Sequence, residues 1–425
     1  MPNGSESDTN GVQLSWQWGR TPLPISAAPQ VAYLLVEAQP LAPPTRAVPL
    51  NFCFVLDHSG SMQGVKIERM KAATHRVIEM LTADDIVSIV IFDDTVEVVL
   101  PATHATDKQA LLATIDNIHE EGGTAMSLGM EAGRLELEKN LSANRLASML
   151  ILTDGQTWGD EEHCREIART LAQRGVRITA LGLGAEWNEQ LLDDIADTTG
   201  GTSDYIAEPD AIDSFFQRTV KEVQGTAATE ARLLLRLVRD VTPRAVYRAI
   251  PKIANLGHQP IGSNEVAVRL GDLSYGVGGS VIIELMVPSR AAGSFRIAQA
   301  ELHYKPIGTT TGEQVIKQDV MLEFTASSAK AMYNATVMNL VEKVTAFKLQ
   351  TRALEEAEIG NLSGATQKLR AAATRLLDMG ELNLAAKTRA QADQLEQGAG
   401  LSTETRKELR YATRRLTQRL QDDEA

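Results

Sequence analysis

Residues 54–62 read FVLDHSGSM. An apolar run ends at Asp57, and Ser59 and Ser61 follow at alternate positions around Gly60. A run that is apolar at consecutive positions suits a strand covered on both faces. An aspartate at the end of such a strand, just ahead of a helical pattern, stands where open parallel sheets bind their ligands. The stretch therefore poses a question of chemistry as well as of fold.

The surrounding sequence repeats the same alternation. VPLNFCFVLD, DIVSIVIFDD, RLASMLILTDG and VRITALGLG are short and almost continuously apolar. Between them lie GVKIERMKAATHRVIEML, DKQALLATIDNI, SLGMEAGRLELEKN, EEHCREIARTLAQRG and NEQLLDDIADTTG, in which apolar residues recur every three or four positions. That spacing predicts helices packed on one side. Asp107 and Asn188 are expected N-caps, and Gly175 and Gly200 expected C-caps. Strand–helix alternation over 48–225 predicts an α/β doubly wound domain with helices on both faces of a mainly parallel sheet. TVEVVLP follows closely on DIVSIVIFDD, so this pair is expected to form a hairpin with one antiparallel edge strand.

A helix start next to Asp57 would favour an anion. The aspartate would repel one, however, and no GxxxxGK[ST] loop is present. Lys66 is close by but belongs to the amphipathic helix. The stretch suits a cation better. Ser59 and Ser61 add neutral hydroxyl oxygens, and an oxygen-only set fits Mg²⁺, Mn²⁺ or Ca²⁺ rather than zinc. Other strand ends supply more oxygen. EEGGTAMS places Thr124 at a helix start, and LTDGQ places Asp154 at the end of a strand expected to neighbour that of Asp57.

With these pieces in order, residues 48–225 resemble the von Willebrand factor type A (VWA) family. DHSGS resembles its DxSxS motif, GGT its threonine loop and LTDG its aspartate loop. The resemblance implies a metal-ion-dependent adhesion site made of Asp57, Ser59, Ser61, Thr124 and Asp154. It implies that Ser59, Ser61 and, in one state, Thr124 bind the metal directly, while Asp57 and Asp154 act largely through water. With few direct carboxylates the metal, Mg²⁺ first and Mn²⁺ or Ca²⁺ as alternatives, stays electrophilic and can accept a Glu or Asp from a partner protein. The function implied is a non-catalytic interaction module. A variant pairs the domain with an AAA+ ATPase of the MoxR or chelatase type. An alternative of another class is a metal-dependent hydrolase, for which His58 is the only nearby general base. No HExxH and no paired acidic cluster beyond the five residues supports it.

Blander readings compete at each position. Ser59 and Ser61 could cap a helix. Asp93 and Asp94 look like a strand-end turn, and His58 like a rim or solvent residue. Trp158 fits a partner contact or a packing role equally well.

The rest of the chain supports this domain. Its 425 residues are too many for one ordinary core. Residues 1–11 are expected to be a disordered tail. Strands are expected at 12–47, and glycine- and proline-punctuated strands at 226–325. The strands before Val48 have no partner inside the α/β unit, so strand accounting makes that unit an insertion in an antiparallel β-sandwich. Residues 326–425 read as a helical domain, with Ser363 and Ser402 expected to be N-caps. The net charge of −13 argues against nucleic acid as main partner, and the bases of RKELRYATRRLTQR read as a solvated helix face. Two cysteines, Cys53 and Cys164, read as buried small hydrophobes. No stretch reaches the ~20 apolar residues of a membrane span, and no signal peptide is visible, so a cytoplasmic location is expected.

Overall fold

The computed structural model describes residues 11–44, 48–142, 144–257, 259–262, 264–308, 312–327, 330–398 and 400–418, with the side chains of 259–262 left aside. All but Gly11 of the expected disordered tail lies outside the described residues. The chain divides into two compact units, one from Pro44 to Thr226 and one assembled from Met1–Pro43 and Ala227–Ala425.

The Pro44–Thr226 unit is built on a six-stranded sheet. Its order is Thr202–Ile206, Arg177–Leu183, Leu146–Thr153, Leu50–Asp57, Ile86–Phe92 and Val96–His104. Neighbours are parallel except for the last pair, the hairpin anticipated from the sequence. Every residue of Leu50–Asp57 is buried, which is why the segment is apolar without alternation. Phe52, Phe54 and Leu56 share a core with helices Val65–Met80, Lys108–Asp116 and Ile212–Gln224. On the other face, helix Met126–Glu138 lies so close that a Cβ on Gly133 would come within 2.8 Å of Val55 and 2.9 Å of Met149. Gly129 meets the Phe92 ring in the same way, at 2.7 Å. Two side-chain-free positions one turn apart let this helix sit directly on the sheet.

The chain runs outward from Leu50–Asp57 in one direction through Ile86–Phe92, then returns to the other flank with Leu146–Thr153. The carboxyl ends of Leu50–Asp57 and Leu146–Thr153 therefore flank the switch point of the sheet, where a crevice opens. Asp107 and Asn188 cap their helices by accepting from the amides of Ala110 and Leu191. Gly200 closes helix Glu189–Thr199 in the left-handed conformation.

The second unit contains two sheets. In one, Val12–Trp18 pairs with Gln30–Pro40, which pairs with Gly279–Val287, which pairs with Thr242–Ile250. Chain segments from both sides of 44–226 thus share hydrogen-bonded ladders, with Val36 opposite Val281. The other sheet carries Glu265–Ser274, Thr226–Leu237, Gly293–Pro306 and Gln314–Thr325. Inward residues of both sheets, among them Leu34, Val36, Leu233, Ile283 and Leu302, form one core. Helices Ala335–Glu358, Leu362–Asp378, Leu382–Glu396 and Thr403–Arg414 form a third layer. Their core takes in Leu35, Tyr247 and Ile282 from the opposite face of the first sheet. Ser402 caps the last of these helices, but Ser363 does not cap the second. Asn361 does so instead, accepting from Gly364 N, because the helix already begins at Leu362. Among the described residues, no helix is long and apolar enough to cross a membrane.

Candidate metal centre

Asp57 ends its strand fully buried, and its two carboxylate oxygens are both engaged. Oδ1 accepts from the Ser59 amide at 2.9 Å, and Oδ2 accepts from the Thr153 hydroxyl at 2.6 Å. Burial pushes the Asp57 carboxyl above the ordinary carboxylate range. The Ser59 and Thr153 donors pull it partly back, and the nearby Asp154 pushes it further up.

After Asp57 the chain makes a short 3₁₀ turn, Gly60–Met62, and helix Val65–Met80 begins only after Gly64. Ser59 stands at the N-cap position of the 3₁₀ turn but makes no side-chain cap bond there, and the following helix is capped at Gly64. The Ser59 and Ser61 hydroxyls lie 3.0 Å apart instead, and Ser61 Oγ donates to Asp154 Oδ1 at 2.6 Å. Asp57, Ser59, Ser61 and Asp154 thus form one continuous chain of polar contacts across the switch point.

Thr124 joins from the opposite side. Its Oγ1 lies where a Cβ on Gly155 would be 2.9 Å away, so it rests against the backbone next to Asp154. Several bonds hold its loop. The Gly60 amide donates to Gly122 O at 3.1 Å, Glu121 N to His58 O at 2.8 Å, and Ala125 N to Asp93 O at 2.6 Å. The Thr157 hydroxyl reaches Thr124 O at 3.3 Å, and Asp160 Oδ2 accepts from Ser127 N at 2.8 Å.

Neighbouring acids support this geometry. Asp93 makes the strand-end turn expected of it, accepting from the Thr95 amide and hydroxyl at 2.6 and 2.8 Å. Burial opposes ionisation there, but those donors and His58 hold the Asp93 carboxyl below its ordinary value. Asp94 does more than turn the chain: its Oδ2 accepts from Gly123 N at 2.9 Å and braces the threonine loop. His58 is 8% exposed, so of the two placements read from the sequence, solvent or rim, only the rim is left. Its Nδ1 is 2.8 Å from the carbonyl of His119.

Two contributors escaped the sequence reading. Thr153 was visible only as the residue before Asp154. Lys66 was assigned to its helix alone, yet Nζ is 2.5 Å from Asp154 Oδ2 and 3.1 Å from Ser61 O. Trp158, by contrast, is 80% exposed beside Thr157, which excludes a packing role.

The donors gathered here are two carboxylates and three hydroxyls. Among the described residues no group of three or more His, Cys, Asp and Glu is placed to hold a metal. An all-oxygen, hydroxyl-rich set fits a hard divalent cation that keeps part of its water shell.

Comparison with known proteins places this geometry in a wider setting. Residues 51–218 match the family model of the von Willebrand factor type A domain, and residues 335–419 that of the Sll0103-like C-terminal α-helical domain. The protein sll0103 of Synechocystis sp. is 29% identical over 380 residues, covering 88% of this chain and 89% of that protein. The E3 ubiquitin-protein ligase WAV3 of Arabidopsis thaliana is 24% identical over 384 residues, covering 86% of this chain and 47% of WAV3. A solved von Willebrand factor type A structure from Catenulispora acidiphila superposes with a TM-score of 0.75 at 18% identity, covering 97% of this chain and 98% of that one. The chain carries a von Willebrand factor type A domain and a C-terminal helical domain.

Proposed function

We propose that the von Willebrand factor type A domain is a non-catalytic docking module that binds a partner's carboxylate through a divalent cation. The observation that carries this reading is the convergence of Asp57, Ser59, Ser61 and Asp154 in one chain of polar contacts at the switch point, with the Thr124 hydroxyl packed beside it. Ser59, Ser61 and Thr124 would hold the ion directly, and Asp57 and Asp154 would hold it through water. The ion, Mg²⁺ or a similar hard cation, would supply an electrophilic position for an incoming Glu or Asp. The chain's own residues do the rest. Thr153 and the Ser59 amide orient Asp57, Ser61 orients Asp154, and the braced 121–125 loop presents Thr124.

We read the two sheets of the second unit as a sandwich interrupted by the α/β unit, because strands from both sides of 44–226 pair in one ladder. On that reading, both ends of the docking domain continue along the chain into the second unit. A hydrolytic role has less support: His58, its candidate base, is buried and engaged with a backbone carbonyl. A ligase activity belongs to WAV3, of which this chain covers about half.

The test is calorimetric titration of Mg²⁺ into the wild type and Asp57→Ala, followed by partner capture with each in Mg²⁺ and in EDTA. The expected outcome is measurable affinity in the wild type, a loss of at least about 100-fold in the variant, and capture that EDTA abolishes. Equal Mg²⁺ affinity in the two proteins would overturn the reading.

A further inference from the structure

Lys66 stands in the first turn of helix Val65–Met80. A cation there opposes the positive end of the helix dipole, so the helix itself gives it no reason to stay. The helix also buries other residues, Ile67, Met70, Ala73, Val77 and Ile78. The lysine side chain is 34% exposed and could extend into water, yet its ammonium turns onto a carboxylate with no exposure at all. It is 2.5 Å from Asp154 Oδ2 and 3.1 Å from the carbonyl of Ser61. Asp154 Oδ1 is taken by the Ser61 hydroxyl at 2.6 Å. Both oxygens of one candidate ligand are therefore satisfied within the chain, one of them by a full positive charge.

We propose that Lys66 is a resident counter-ion that competes with the divalent cation for Asp154 and so sets how tightly this rim holds its metal. The inference rests on the docking reading above. Two buried carboxylates at one rim repel each other, and a low-dielectric setting amplifies the cost. The ammonium neutralises one of them and keeps the rim assembled without metal. The same ammonium opposes an arriving divalent ion, which must displace it or tolerate its charge. The flexible four-carbon stem and its access to water give the displaced ammonium a place to go. Lys66 is thus an affinity-setting residue, distinct from the donors that hold the ion.

The test measures Mn²⁺ affinity by electron paramagnetic resonance on the full chain, comparing wild type, Lys66→Gln, Lys66→Met and Lys66→Arg. Thermal melts in EDTA and in Mn²⁺ accompany it. Both neutral variants are expected to bind Mn²⁺ at least about tenfold more tightly, because the competing charge is gone. Lys66→Arg is expected to stay close to the wild type. In EDTA the neutral variants are expected to melt below the wild type, and Mn²⁺ is expected to raise their melting point by more. Unchanged or weaker affinity in both neutral variants, with Asp57-dependent binding in the wild type, would overturn this inference and leave the docking reading standing. Absence of Mn²⁺ binding in every variant would overturn both. A neutral variant that folds only when Mn²⁺ is present supports the inference. One that fails to fold even then overturns it, since the ion cannot stand in for the ammonium.

Discussion

Two of the regions in which this molecule buries carboxylates neutralise them differently. In the strand Gly293–Pro306, Glu301 is 2% exposed and meets Arg236 through a short ion pair, Lys317 at 3.2 Å and His303 at 3.7 Å. Two permanent cations surround this acid, and Arg236 is shared with Glu265, so two cations face two acids and the charges balance. At the rim of the α/β sheet, Asp57 and Asp154 are both buried, and Lys66 pairs with Asp154 alone. The hydrogen bonds on Asp57 come from neutral donors. The first arrangement is closed, with nothing left for a ligand to add. The second carries more negative charge than its own lysine offsets. A buried site with charge to spare is where an external cation gains most.

Substituting each acid by its amide breaks the comparison most directly. Glu301→Gln removes the anion from between Arg236 and Lys317, so denaturant melts should show a loss of about 1–2 kcal/mol. That figure is discounted because both cations keep access to water. Mg²⁺ affinity should not change. Asp57→Asn should act in the opposite sense on stability. Burial raises the carboxyl's pKa, so the fold favours the uncharged form, and the amide can still accept from the Ser59 amide. In EDTA this variant should melt at or above the wild type, and it should lose its Mg²⁺ binding. If both amides destabilise alike, the two acids serve the same structural purpose and the contrast fails.

Much of the rim could be read from residues because its parts lie at strand ends, and strand ends are marked by where apolar runs stop. Asp57 and Asp154 close such runs, and the order of the runs puts them on neighbouring strands. The hairpin after Phe92 was legible for the same reason. Lys66 was not, because a lysine on an amphipathic helix is ordinarily solvated and nothing in GVKIER tells which way its stem turns. Its one clue is electrostatic: a cation placed at the helix end where the dipole disfavours it. Ser363 misled because Asn361, two residues earlier, offers an equally good cap and the helix takes the first one. The solvent alternative for His58 failed because the 119–121 segment, distant in sequence, meets it through the imidazole Nδ1 on the His119 carbonyl and the Glu121 amide on the His58 carbonyl.

A smaller effect should sharpen the contrast by linking packing to the rim. Gly133 lets helix Met126–Glu138 rest on Val55, Met149 and Cys53, and that helix begins two residues after Thr124. Gly133→Ala gains helix propensity of about 1 kcal/mol but drives a methyl group into the rigid Val55 side chain. Overpacking of this kind costs about 1–3 kcal/mol. A net loss of about 1 kcal/mol is expected in denaturant melts, together with a few-fold weaker Mg²⁺ affinity as the Thr124 loop shifts. A loss of stability with unchanged affinity would show that the loop is held by its own hydrogen bonds rather than by the helix seat.

The smallest effect on the fold is expected at Trp158, and this makes it the most selective probe of docking. An indole that is 80% exposed loses almost no buried area on truncation, so Trp158→Ala should change stability by less than about 0.5 kcal/mol. Its side chain is not among the oxygen donors, so Mg²⁺ affinity should also hold. Its neighbour Thr157 bonds to the carbonyl of Thr124, which puts Trp158 on a loop beside the rim. A large, rigid aromatic in that place offers a docking partner apolar area next to the carboxylate contact. On the docking reading, EDTA-sensitive capture of the partner should fall about tenfold or more with Trp158→Ala, while metal binding and melting stay as in the wild type. Capture that survives this substitution would confine recognition to the ion and its donors, and would place the specificity of the interaction elsewhere on the domain.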